Sequence, residues 1–91
     1  MLKSEISPFL LKLLKKISKR NSGDYINIMK KIDEIRNSSI SSINHYKNLK
    51  KPLQHLKRVH VNKHYVLLFS FNSRTRTVRF EDYLHHDEAY K

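Results

Sequence analysis

The sequence predicts an α+β domain: an N-terminal helical hairpin packed on a small, twisted, mainly antiparallel β-sheet. Three observations carry this expectation. Apolar residues recur at helical spacing through residues 8–36, the period changes to two from Leu56 onward, and the Ser- and Asn-rich stretch between them, NSSISSINHYKNLKKP, keeps neither period. With 91 residues the chain has the length of one compact domain, 1–91, with a modest core and little room for a separate ligand-binding unit.

The first helix is expected to open at Ser7-Pro8, an N-cap followed by a proline in the first turn, where its missing N–H costs nothing. Phe9, Leu13 and Ile17 recur at four-residue spacing with Leu10 and Leu14 beside them, while Lys12, Lys15, Lys16 and Lys19 fall mainly elsewhere on the wheel. Asn21, Ser22 and Gly23 read as a turn, and Asp24 as the cap of a second helix that lines up Tyr25, Ile28, Met29, Ile32 and Ile35. Residues 37–52 read as a long connection.

Beyond it, Val59 and Val61 alternate with Arg58 and His60, and Tyr65 to Phe71 is an apolar, aromatic-rich run. Asn72-Ser73 suggests a hairpin turn, and a third strand is expected from about Thr77 to Tyr83. Met1 to Ile6 is a candidate edge strand.

With 19 Lys and Arg against 8 Asp and Glu, the formal net charge is +11, which draws polyanions through the whole field of the molecule. The distribution says more than the total. Every carboxylate lies at positions 5–34 or 81–88, so residues 35–80 hold ten Lys and Arg and no counter-charge. A run of charge is ordinarily a solvated face. Here the whole middle of the chain lacks carboxylates, as suits a surface whose cations replace the counterions of a phosphate backbone. Lys47, Lys50, Lys51, Lys57, Arg58 and Lys63 cluster there, with His45, His55, His60 and His64 among them. Alternation puts Arg58 and His60 together on the strand face opposite Val59 and Val61.

The absence of cysteine excludes disulfides and thiolate zinc sites. The apolar run from Phe9 to Leu14 is interrupted by Lys12 and is far shorter than the ~20 residues a membrane span requires. Neither a transmembrane helix nor a signal peptide is expected, and the setting is read as cytoplasmic. A basic amphipathic first helix could lie on a membrane, but its apolar face is needed to build the core.

The late segment LHHDEAYK carries adjacent histidines, His85 and His86. Imidazoles suit a metal or a proton transfer near pH ~7, or they decorate a solvated tail. No distant partner stands at a regular metal-ligand spacing, so acid–base chemistry is the preferred reading, with no metal or other cofactor. RNA can be cut if one group takes the proton of the 2′-hydroxyl, another protonates the leaving 5′-oxygen and cations stabilise the phosphorane. His60, His86 and Tyr90 could move protons, and Lys50 and Arg58 could hold the phosphate.

The order of LKKPLQHLKRVHV at 49–61, HYVLLF at 64–69 and HHDEAY at 85–90 resembles the RelE/ParE toxin superfamily, over nearly the whole chain. That resemblance implies a RelE-like fold and a ribosome-dependent messenger-RNA endonuclease, the toxin of a type II toxin–antitoxin system. It implies catalytic roles for Lys50, Arg58, His60, His86 and Tyr90. RNA contacts are expected from Lys47, Lys51, Lys57, Lys63, Arg79 and His85. In this sequence His86 stands where an arginine is common. Val66 replaces another frequent arginine, leaving Arg79 or Lys51 to complete the phosphate clamp. The implied partners are messenger RNA on the ribosome and an acidic RelB-like antitoxin, with the free toxin a monomer that forms a hetero-oligomer with the antitoxin. Two alternatives carry over from the same fold and charge: a ParE-like gyrase inhibitor, against which HHDEAY argues, and a non-catalytic nucleic-acid-binding module.

Overall fold

The computed structural model describes residues 1–89. In chain order the elements are β1 (Lys3–Ile6), α1 (Pro8–Arg20), α2 (Ser22–Arg36), α3 (Ile40–Asn44), β2 (Lys57–His60), β3 (Tyr65–Asn72), β4 (Thr77–His85) and α4 (His86–Ala89). The sheet runs β1-β4-β3-β2, antiparallel except for β1, which pairs with β4 in parallel from Lys3↔Thr77 to Ile6↔Phe80.

Ser7 caps α1 as its sequence implies, accepting the Leu10 N–H at 3.0 Å. The same buried hydroxyl donates to the Glu81 carbonyl at 2.8 Å, so one side chain both starts the helix and fastens it to β4. The cap of α2 differs from expectation. Asn21, not Asp24, holds it: the Asn21 side chain accepts the Asp24 N–H at 3.1 Å, while its own backbone N–H closes α1 onto the Ile17 carbonyl. Ser22 and Gly23 are therefore the first residues of α2 rather than a turn, because one asparagine serves both helix ends.

Both helices lie on one face of the sheet. Leu10 and Leu14 of α1, Ile28, Ile32 and Ile35 of α2, and Ile43 of α3 pack against Val61, Leu67, Phe69, Val78, Phe80 and Tyr83. Phe9 departs from the expectation that put it on the core stripe; it is 63% exposed, because the buried ridge of α1 centres on Leu10 and Leu14. The connection is more ordered than its composition suggests. It forms α3, buries Ile43 and Leu49, and runs its end beside β2 through Leu49 N–H to Leu56 O and Arg58 N–H to Lys47 O, both antiparallel contacts.

A β-bulge shapes β4. Leu68 pairs with Asp82 and Phe69 with Phe80, so Glu81 is the extra residue. Strict alternation would turn Phe80 and Tyr83 to opposite faces; the bulge brings both into the helix-side core. It also resets everything after it. Asp82 and Leu84 face away from the helices, and Tyr83 and His85 face the helix side. The strand itself continues through Leu84 and His85, two residues beyond the expected end at Tyr83.

Candidate active site

The sheet face opposite the helices stays open. Opposed residues of an antiparallel pair share a face, so Arg58 beside Leu68, His60 beside Val66 and Leu84 beside Val66 project together. The edge formed by the connection extends this surface: Lys47 stands opposite Arg58, and Leu49 opposite Leu56. A second apolar cluster of Leu49, Val66 and Leu68, with Leu56, Leu84 and Ala89 packed on it, forms the floor. Burying these side chains fixes the backbone on which the polar groups stand.

His86 comes to this floor from the first turn of α4. Its N–H donates to the His64 carbonyl at 2.7 Å, prolonging the β3–β4 ladder, and its ring stacks on His60 with centroids 5.5 Å apart and planes 22° from parallel. Two imidazoles from distant parts of the chain thus form a pair on the open face, with Arg58 two positions before His60 on the same side of β2. Asp87 lies between the two neighbouring histidines: its carboxylate is 3.6 Å from His86 Nδ1 and 3.8 Å from His85 Nδ1. At His85 the shorter contact decides the tautomer. The Asp87 N–H donates to His85 Nδ1 at 3.1 Å, so that nitrogen accepts and the proton of the neutral ring sits on Nε2. The carboxylate of Asp87 is well exposed, so it orients its neighbours more than it stabilises them.

Asp82 has no counterpart in the reading of the sequence. It shares the open face across β3 from Arg58, through Leu68. Burial pushes its carboxyl above the usual carboxylate range; the Tyr83 N–H, donated to Asp82 Oδ1 at 2.7 Å, opposes the shift and the nearby Glu88 charge adds to it.

The other expected site residues, Lys50 among the catalytic ones and the rest RNA contacts, separate into groups. Lys47, Lys50 and Lys51 are exposed along the connection, and Lys63 is exposed in the β2–β3 turn. Lys57 does not join them: its ammonium donates to the Tyr46 carbonyl and to Asn48 Oδ1, both at 3.2 Å, tying the connection to β2. Arg79 stands opposite Ser70, toward the other end of the sheet from His60, and is held by Glu5 at 3.0 Å and Glu81 at 3.2 Å. Those carboxylates raise its already high pKa and offset its charge, so the structure does not bring Arg79 to the histidine pair. His85 is turned to the helix side by the bulge and stacks on His64 at 6.0 Å, away from His86. Val66 is buried in the floor. Tyr90 lies outside the described residues.

A protein of Methanocaldococcus jannaschii named for a toxin, RelE4, is 44% identical over 91 residues, spanning 100% of this chain and 93% of its own length. The chain belongs to the RelE toxin family. A protein of Methanosarcina mazei is 47% identical to this RelE-family chain over 75 residues, 82% of the chain and 83% of the relative. YafQ from E. coli strain BL21(DE3) superposes with a TM-score of 0.66 over 100% of both chains at 17% identity, which shows that this RelE-family member shares the YafQ fold. No protein-family model matches the chain.

Proposed function

We propose that this RelE-family toxin is an endoribonuclease that cuts messenger RNA on the ribosome by attack of a 2′-hydroxyl on the adjacent phosphate. The observation that carries the reading is the stacked His60–His86 pair on an open face beside Arg58. In this mechanism one imidazole takes the proton of the 2′-hydroxyl as the O2′–P bond forms. The other gives a proton to the 5′-oxygen as the P–O5′ bond breaks, leaving a 2′,3′-cyclic phosphate and a 5′-hydroxyl. Arg58 stabilises the charge on the phosphorane, and Lys47 and Lys50 track the neighbouring phosphates. Tyr90 belongs to the proposal as a further proton-transfer group.

A step that uses one imidazole as base and the other as acid is expected to follow a bell-shaped pH profile. A cognate antitoxin, acidic and folding as it binds, would supply the counter-charges missing from residues 35–80.

The test adds purified protein to translating ribosomes and maps messenger ends. Cuts within the decoding site that end in 2′,3′-cyclic phosphate are expected. Intact messages, or ends bearing a 5′-phosphate, would remove the mechanism.

A further inference from the structure

Behind the histidine pair, around the end of the sheet, a cleft is lined by Asp24, Asn27, Asn62, Lys63, His64 and Tyr65. We propose that this cleft is a nucleobase pocket, which holds an unpaired guanine next to the scissile phosphate and sets which sequences are cut. It rests on the nuclease reading for its place in the reaction, but its ligand chemistry stands on the cleft alone.

The aromatic wall is braced from behind. Tyr65 stacks on Tyr83 with centroids 5.0 Å apart and planes 10° from parallel, and meets the edge of His85 at 5.5 Å; His64 stacks on His85. Tyr65 nevertheless stays 38% exposed, an aromatic held in place and still open to a ligand. Unpaired bases are recognised by stacking on such rings, at little entropic cost when the ring is already fixed.

The floor is equally fixed. Asn62 sits at φ 64°, in the left-handed region that asparagine tolerates better than most residues. Its amide nitrogen donates to Tyr83 Oη at 2.9 Å and to the Asp24 carbonyl at 3.4 Å, and its oxygen accepts from the Asn27 amide at 2.9 Å. Both amide protons of Asn62 are thereby used within the protein. What remains at the cleft is acceptor capacity: the Asn27 Oδ1 and the Asp24 carboxylate form no side-chain hydrogen bond or ion pair with the described residues. Asp24 belongs to the cleft lining beside Asn27 and Asn62, and its charge adds to the burial that raises the pKa of the Tyr83 hydroxyl.

An anionic acceptor beside an aromatic wall would repel a phosphate but suits a base edge rich in donors. Guanine presents N1–H and N2–H side by side, which a carboxylate accepts together; adenine presents one amino group beside an acceptor. The exposed Lys63 at the rim can take the phosphate of that nucleotide. The link to the cutting site is covalent and short. His64 and Lys63 belong to the turn that follows His60, and the His64 carbonyl holds the backbone of His86.

Transcript-wide mapping of cuts by wild type and Asp24→Asn on ribosomes tests the pocket. Wild type is expected to favour guanine at one fixed offset from the cut, and Asp24→Asn to lose roughly tenfold of that preference, the scale of one bidentate base contact, while still cutting. Identical cut patterns in the two proteins, or no base preference at any fixed offset, would overturn it. Titration of the free proteins with guanosine and adenosine monophosphates, followed through the NMR signals of His64 and Tyr65, reads the same pocket without cleavage. Shifts that saturate at lower guanosine than adenosine monophosphate in wild type, and lose that order in folded Asp24→Asn, are expected. Equal responses to the two nucleotides, or none, would sink the pocket even where cleavage on ribosomes is robust; a pocket that binds guanosine in a protein that never cuts would sink the nuclease reading instead.

Discussion

His60 and His86 illustrate what a single side chain contributes when its partner comes from a distant part of the chain. If the two imidazoles divide base and acid between them, His60→Gln and His86→Gln should each slow cleavage on ribosomes by ~10²-fold or more. The double variant should be little slower than either, because groups acting as one unit do not add; single-turnover rates measure both. Asp82 makes a different prediction. Its carboxyl pKa is raised on folding, so the native state holds this proton more tightly than the unfolded chain. Stability from this group is therefore lost as pH rises from the ordinary carboxylate value through the raised one, and at neutral pH the ionised form carries a cost. Asp82→Asn should melt above wild type at neutral pH, and the gap should close in acid, as thermal unfolding at the two pH values would show. Arg58 and His60 were legible in the sequence because strict alternation beside Val59 and Val61 fixes their face. Asp82 and His85 were not, since the bulge at Glu81 reverses the alternation and no residue type announces it.

At the scale of elements, the helix ends carry more information than the helix middles. Ser7 was legible as a cap from its place before Pro8, yet its second bond, to the Glu81 carbonyl, joins residues 74 apart and no local pattern foretells it. Ser7→Ala removes both bonds and leaves a part-buried carbonyl without its donor. A loss of about 2 kcal/mol is expected from urea unfolding, the sum of a missing cap and an unsatisfied acceptor. The two helices were visible in their periodicity, but the boundary between them was not, because Asn21 closes one and opens the other where composition suggests a turn. The stretch 37–52 defeated periodicity for another reason. Its order comes from isolated anchors, Ile43 in the core and Leu49 in the open-face floor, which are too sparse to make a period.

For the whole molecule, the division between a helix-covered face and an open one decides how charge is used. Lys57 and Arg79 looked equivalent to their neighbours in sequence, yet one braces the connection and the other is matched by Glu5 and Glu81. The exposed Lys47, Lys50 and Lys51 remain for a ligand. Replacing these three by Gln should reduce the slope of log affinity for single-stranded RNA against log salt by ~2, about 0.7 for each phosphate that is no longer neutralised. An unchanged slope in a binding titration would put the RNA elsewhere on the surface. The charge asymmetry itself was plain in the sequence; which cations it leaves available depends on register and on pairings across the chain.

The parallel pairing of β1 with β4 has a consequence for the birth of the protein. β1 is translated long before β4, its hydrogen-bonding partner, and β4 lies between β1 and β3, so β1 has no strand to pair with until Thr77–His85 has been made. His86, which completes the open face, follows it. A nascent chain therefore cannot complete its open face while the codons before Thr77 are still being read. If the proposed nuclease cuts its own message anywhere in that stretch, the shortened product lacks β4, an inner strand of the sheet, and with it His86, so on that proposal a self-inflicted cut does not yield a second active toxin.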